Sequence, residues 1–121
     1  VKLILWIDRN DFSRKLFEKI FKDQGFQFYG LSKVDDFAYL ISDLDPSLII
    51  VDSDTALEEI EVFKSQYLST QCFLGKPVII IDLKPGLEFI SPMAGEIKKP
   101  IDAFDLPKFL INTWQSKNGI G

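Results

Sequence analysis

The sequence predicts an α/β fold, a five-stranded parallel sheet flanked by helices. Short β-branched runs alternate with segments of helical spacing, which is the pattern of strand–helix–strand units. The three strongest runs, Leu3–Ile7, Leu48–Val51 and Val78–Ile81, are apolar almost throughout, as strands buried on both faces are. Charged residues follow these runs at once, where the carboxyl ends of parallel strands would form one edge.

Each element has its own signal. After the first strand, Phe12, Leu16, Phe17, Ile20 and Phe21 fall on one helical face, and Gly25 stops that helix. A weaker strand is read at Phe26–Tyr29. Val34, Phe37, Ala38, Ile41 and Leu44 repeat the helical spacing, and Asp45-Pro46 ends it. The third strand, Leu48–Val51, leads to a helix expected from Thr55 to Tyr67, with Asp54 or Thr55 as its cap. The stretch from Leu68 to Lys76, which holds Cys72, reads as loop. After the fourth strand, Pro85, Gly86, Pro92 and Gly95 leave room for one helical turn around Leu87–Ile90, so the fourth helix is expected to be shortened. A fifth strand of poor composition is placed at Gly95–Lys98. A last helix uses Phe104, Phe109, Leu110 and Trp114, with Pro107 in its first turn.

Composition bounds the chemistry. The chain has 121 residues, enough for one domain spanning 1–121, and 11 are Phe, which points to a well-filled core. It opens on Val at its first strand, so a piece of a longer protein is expected. Lys and Arg number 14 against 18 Asp and Glu, a net charge of −4. Residues 1–61 hold 7 basic and 13 acidic groups, and the remainder 7 and 5. This balance argues against nucleic-acid binding, which needs a basic stripe, and fits a carboxylate site in the first half. One Cys and no His exclude an internal disulfide, a Cys/His zinc site and a His general base. Any metal would be a hard cation on oxygen ligands. No run approaches the length of a membrane helix, and the lone Cys suits a reducing compartment, so the cytoplasm is expected.

The residues after the strands are Asp8-Arg9-Asn10-Asp11, Asp52-Ser53-Asp54-Thr55, Asp82-Leu83-Lys84 and Lys99-Pro100. With the runs Leu3–Asp8, Pro46–Asp52 and Pro77–Ile81, this series resembles the receiver domain of bacterial response regulators, the CheY-like, flavodoxin-like fold, over nearly the whole chain. The resemblance implies that Asp52 is the phosphoacceptor for a histidine kinase or phosphotransfer protein. It implies that Asp8 and Asp52 hold Mg²⁺ with the backbone carbonyl of Asp54, and that Lys99 pairs with the phosphoryl group. The residue types suit that chemistry: a carboxylate attacks a phosphate dianion only when cations offset the like charges.

Several positions depart from the family pattern. Arg9 stands where a second acid is usual, which leaves the quartet Asp8, Arg9, Asp52 and Lys99 formally neutral and weakens Mg²⁺ binding. Asp11 lies in the same loop and reads mainly as a helix N-terminal residue. Asp82 replaces the Ser or Thr hydroxyl that contacts the phosphoryl group, and is expected to pair with Lys99 or Arg9. Glu96 replaces the switch aromatic of the fifth strand. Arg9 or Lys99 is expected to pair with Asp52 without metal. Two functions follow. One is a two-component receiver phosphorylated at Asp52, whose enzymatic activity would at most be its own phosphorylation and dephosphorylation. The other is a phosphorylation-independent pseudo-receiver that binds a protein partner through the fourth-helix to fifth-helix face. An unrelated flavodoxin-like enzyme is disfavoured because no Gly-rich phosphate loop follows any strand.

Overall fold

In the computed structural model, residues 2–35, 37–69, 76–90, 95–102, 105–108 and 112 are described. The elements are β1 (Leu3–Ile7), α1 (Asp11–Asp23), β2 (Gln27–Leu31), α2 (Phe37–Leu44), β3 (Leu48–Asp52), α3 (Ser53–Glu58), α4 (Ile60–Ser69), β4 (Val78–Ile81) and β5 (Gly95–Ile97). All strand pairs are parallel, in the order β2-β1-β3-β4-β5. The carboxyl ends of β1 and β3 therefore lie side by side at the middle of the sheet, with Ile7 opposite Val51.

Alternate residues of a strand face opposite sides, so the central strands supply two cores at once. Leu5, Ile7, Ile49, Val51, Val78 and Ile80 pack with Ile41 of α2, Ala56 of α3 and Phe63 of α4. Ile4, Trp6, Ile50, Ile79 and Ile81 pack on the other side with Phe17 and Phe21 of α1. There Trp6 stacks on Phe17 with centroids 4.7 Å apart, and Phe21 and Phe28 complete the aromatic cluster. Four of the eleven Phe, Phe17, Phe21, Phe26 and Phe28, thus belong to this side of the core.

Asn10 caps α1 by accepting from the Ser13 amide at 2.9 Å, and Gly25, at φ +89°, ends the turn that follows the helix. Several boundaries differ from the sequence reading. Val34 is buried but precedes α2, where Gln66 of α4 donates to its carbonyl at 3.1 Å. The single helix expected from Thr55 to Tyr67 is two helices broken at Glu59, whose φ and ψ are −134° and 54°. The cap of α3 is Asp52 rather than Asp54 or Thr55, because β3 runs straight into the helix. Between β4 and β5 the described residues form turns, with an Ile90 N–H to Leu87 carbonyl bond of 3.1 Å. Leu87 and Ile90 anchor that segment in the core, and Phe89 meets Phe63 and Tyr67 edge-on. Gly86, at φ +108°, passes so close to Leu57 that a Cβ there would come within 3.1 Å. Cys72, Phe104, Phe109, Leu110 and Trp114 lie outside the described residues.

Candidate functional site

The loops after β1, β3, β4 and β5 meet at one edge of the sheet. Asp52 is the last residue of β3 and is 3% exposed. Its Oδ2 accepts from the Thr55 amide at 3.1 Å and from the Thr55 hydroxyl at 3.0 Å, which makes it the N-cap of α3. Its Oδ1 lies 3.1 Å from Lys99 Nζ, close enough for a strong charge interaction but without an aligned hydrogen bond. Burial alone would lower the Lys99 pKa, yet the contact with Asp52 and the nearby charges of Asp8 and Asp54 hold it above the ordinary lysine value.

Asp8, 5% exposed, directly follows β1. Its Oδ1 accepts from the Asn10 amide at 3.0 Å, and the Trp6 indole nitrogen stands 3.4 Å from Oδ2. Its backbone carbonyl accepts from Arg14 at 2.7 Å. The Arg9 amide donates to the Thr55 hydroxyl at 2.9 Å, so Thr55 links the β1 loop to the Asp52 carboxylate. The Arg9 guanidinium does not join Asp52. It pairs with Glu58 of α3 in solvent, and that hydrogen bond and charge raise its pKa. Of the two cations expected to meet Asp52, Lys99 does so.

The other predicted residues are placed as follows. Asp11 lies in the first turn of α1 and pairs with Arg14. Asp54 lies in α3, two residues beyond Asp52. Its side chain pairs with Lys84 at 2.5 Å, and that bond lowers its pKa. Asp82 adopts a left-handed backbone at φ +59°, and its amide donates to the Ile97 carbonyl at 2.6 Å. The expected pairing of Asp82 with Lys99 or Arg9 does not form, because those cations are taken by Asp52 and Glu58. Glu96 lies within β5 opposite Ile80 and lines a recess away from the carboxylates. Lys84 is the partner that sequence reasoning missed. It follows Asp82 by two residues, but nothing local signals a contact 30 residues back in the chain.

Among the described residues no group of three or more acid side chains gathers into a metal cluster. Asp8 and Asp52 are two buried carboxylates at this edge, and Mg²⁺ commonly takes one or two carboxylates and fills its octahedron with water. Both carboxylates also already accept protein hydrogen bonds. At this edge Lys99, Lys84 and Arg9 each meet one acid, Asp52, Asp54 and Glu58.

No protein-family model matches the chain, and no curated protein sequence does. Solved structures do match. A response regulator receiver-modulated diguanylate cyclase from Pelobacter carbinolicus superposes with a TM-score of 0.75 and 22% identity, covering 98% of this chain and 97% of that one. A CheY-like response regulator receiver domain protein from Methanospirillum hungatei JF-1 gives 0.75 and 18%, covering 100% and 99%. The receiver domain of a sensor histidine kinase from Pseudomonas aeruginosa, solved with a magnesium ion in its active-site cleft, gives 0.75 and 14%, covering 98% of each. The chain thus has the fold of response-regulator receiver domains, with a sequence that diverges widely from these structures.

Proposed function

We propose that the chain is a receiver-type signalling module of the cytoplasm that acts by protein contact, without phosphoryl transfer to Asp52. The observation that carries this reading is the state of the Asp52 carboxylate. It is 3% exposed, caps α3 through both Thr55 donors and faces Lys99 at 3.1 Å. Transfer to a carboxylate needs cations placed between like charges. Here the place of the second acid is held by Arg9, which turns to Glu58. Asp82 and Glu96 also lack the hydroxyl and the ring that would couple a modified Asp52 to the β5 face, and a switch requires a ligand that distinguishes two states. The partner is a protein that meets the face around β5. Among the described residues no helix is long and apolar enough to cross a membrane.

A second reading has one observation in its favour. Asp52 Oδ1 is the oxygen left without an aligned hydrogen bond, and Lys99 stands beside it. In that reading Asp52 is a phosphoacceptor for a histidine kinase or phosphotransfer protein in a phosphorelay, with Mg²⁺ on Asp8 and Asp52. Intact-mass measurement after incubation with Mg²⁺ and acetyl phosphate separates the two. The expected result is an unmodified chain. A phosphoryl adduct on the native protein that disappears in Asp52→Asn would overturn the contact-only proposal.

A further inference from the structure

Residues 62–121 are net basic, yet three of their five acids, Glu96, Asp102 and Asp105, stand around one recess. The recess has a volume of about 260 Å³, room for one large apolar side chain. Its floor is apolar: Ile97 and Leu106 are 7% and 3% exposed, and Ile101 packs beside them. Among the described residues its lining also holds the acids Glu96, Asp102 and Asp105 and the cation Lys98. Asp102 accepts from the Asp105 amide at 3.3 Å and so helps start the helical turn at Leu106. Among the described residues Glu96 and Asp105 have no ion-pair partner within 4.0 Å, unlike Asp52, Asp54 and Glu58. β5 has β4 as its only strand neighbour among those residues.

We infer that this recess docks a cationic partner segment, with one apolar side chain seated on Ile97, Ile101 and Leu106 and flanking Lys or Arg residues on Glu96, Asp102 and Asp105. The inference rests on the proposed action by protein contact and names the chemistry of the partner. The apolar seat supplies affinity, while the acidic rim selects the partner's charge and speeds encounter. A carboxylate rim rejects acidic segments by the same charges.

The test titrates the isotope-labelled full chain with a short synthetic peptide of Lys residues around a central Leu-Phe pair, followed by amide NMR. Shifts are expected at Glu96–Lys98, Ile101–Asp102 and Asp105–Lys108. Added salt weakens binding, and the double variant Glu96→Lys, Asp105→Lys loses about tenfold or more in affinity. The control pair Asp43→Lys, Glu61→Lys makes the same charge change on α2 and α4 and leaves affinity within about twofold. Equal loss in both double variants, or equal binding of a Glu-for-Lys peptide, overturns the inference. Mg²⁺ with beryllofluoride separates the two proposals. Binding at this recess only after that treatment refutes phosphorylation independence and keeps the recess, whereas no binding in either state refutes the recess alone.

Discussion

Thr55 joins the carboxylate edge together. Its hydroxyl accepts from the Arg9 amide and donates to Asp52, and its own amide completes the α3 cap. It is 4% exposed, so water cannot replace these bonds freely. Thr55→Val keeps the shape but leaves the part-buried Arg9 N–H without this partner, while Asp52 Oδ2 keeps only the amide of residue 55. Unsatisfied groups of this kind cost about 1–3 kcal/mol, and a loss of that size is expected in urea unfolding. Arg9→Ala should change stability by no more than about 0.5 kcal/mol, because its guanidinium pair with Glu58 is solvent-exposed and its backbone amide is kept. Asp52→Ala removes the cap and should cost about 1–2 kcal/mol. Asp52→Asn keeps the capping oxygen and should cost less than the alanine variant. A Thr55→Val protein as stable as the native chain would show that the link is dispensable.

At the scale of elements, the break between α3 and α4 is the feature with a titratable consequence. Glu59 stands at the break, and its backbone carbonyl starts α4 by accepting from the Phe63 amide at 3.0 Å. Its carboxyl interacts with Asp35 of the β2–α2 loop, whose backbone carbonyl accepts from the Gln66 side-chain amide of α4. The interaction with the Asp35 carboxyl, then burial, then the charge of Asp35 raise the Glu59 pKa, with Lys33 opposing and Glu58 adding. A carboxyl whose pKa is higher folded than unfolded contributes stability that is complete below its unfolded value, near 4.3, and is lost as pH rises through the folded value. Asp54 acts in the other sense: its pKa is lowered, so its contribution is present above the unfolded value and lost on acidification. The difference between native and Glu59→Gln proteins isolates the first effect, since Gln keeps an N–H donor for Asp35 but does not titrate. Relative to the variant, the native urea midpoint should fall as pH rises from about 4 through the weakly acidic range. Parallel midpoints across that range would show that the two carboxyls do not share a proton.

At the scale of the whole molecule, what the sequence made legible follows from burial. β1, β3 and β4 are central strands covered on both faces, and continuous apolar runs announce them. The carboxyl ends of β1 and β3, with that of the weaker β5, then located Asp8, Asp52 and Lys99 at one edge without any knowledge of side-chain pairing. The helix break was hidden because Glu58 and Glu59 are good helix formers, so local preference does not announce it. The pairs of Arg9 with Glu58 and Lys84 with Asp54 join residues 49 and 30 positions apart, and no spacing rule reaches that far. The same burial logic sets a gradient of stability across the sheet. β1 and β3 each have two strand neighbours, whereas β5 has three residues and pairs with β4 at only three positions. Hydrogen exchange should reflect this: the slowest amides of Leu5–Ile7 and Ile49–Val51 should open only with global unfolding, and those of β5 by local opening at least about tenfold faster. The edge that carries the acidic recess would then be the part of the sheet most responsive to a bound partner. Saturation with the cationic peptide should slow exchange in β5 and leave the slowest amides of β1 and β3 changed only by the shift in global stability. Equal protection of β5 and β3 in the free protein would show that the sheet opens as one unit.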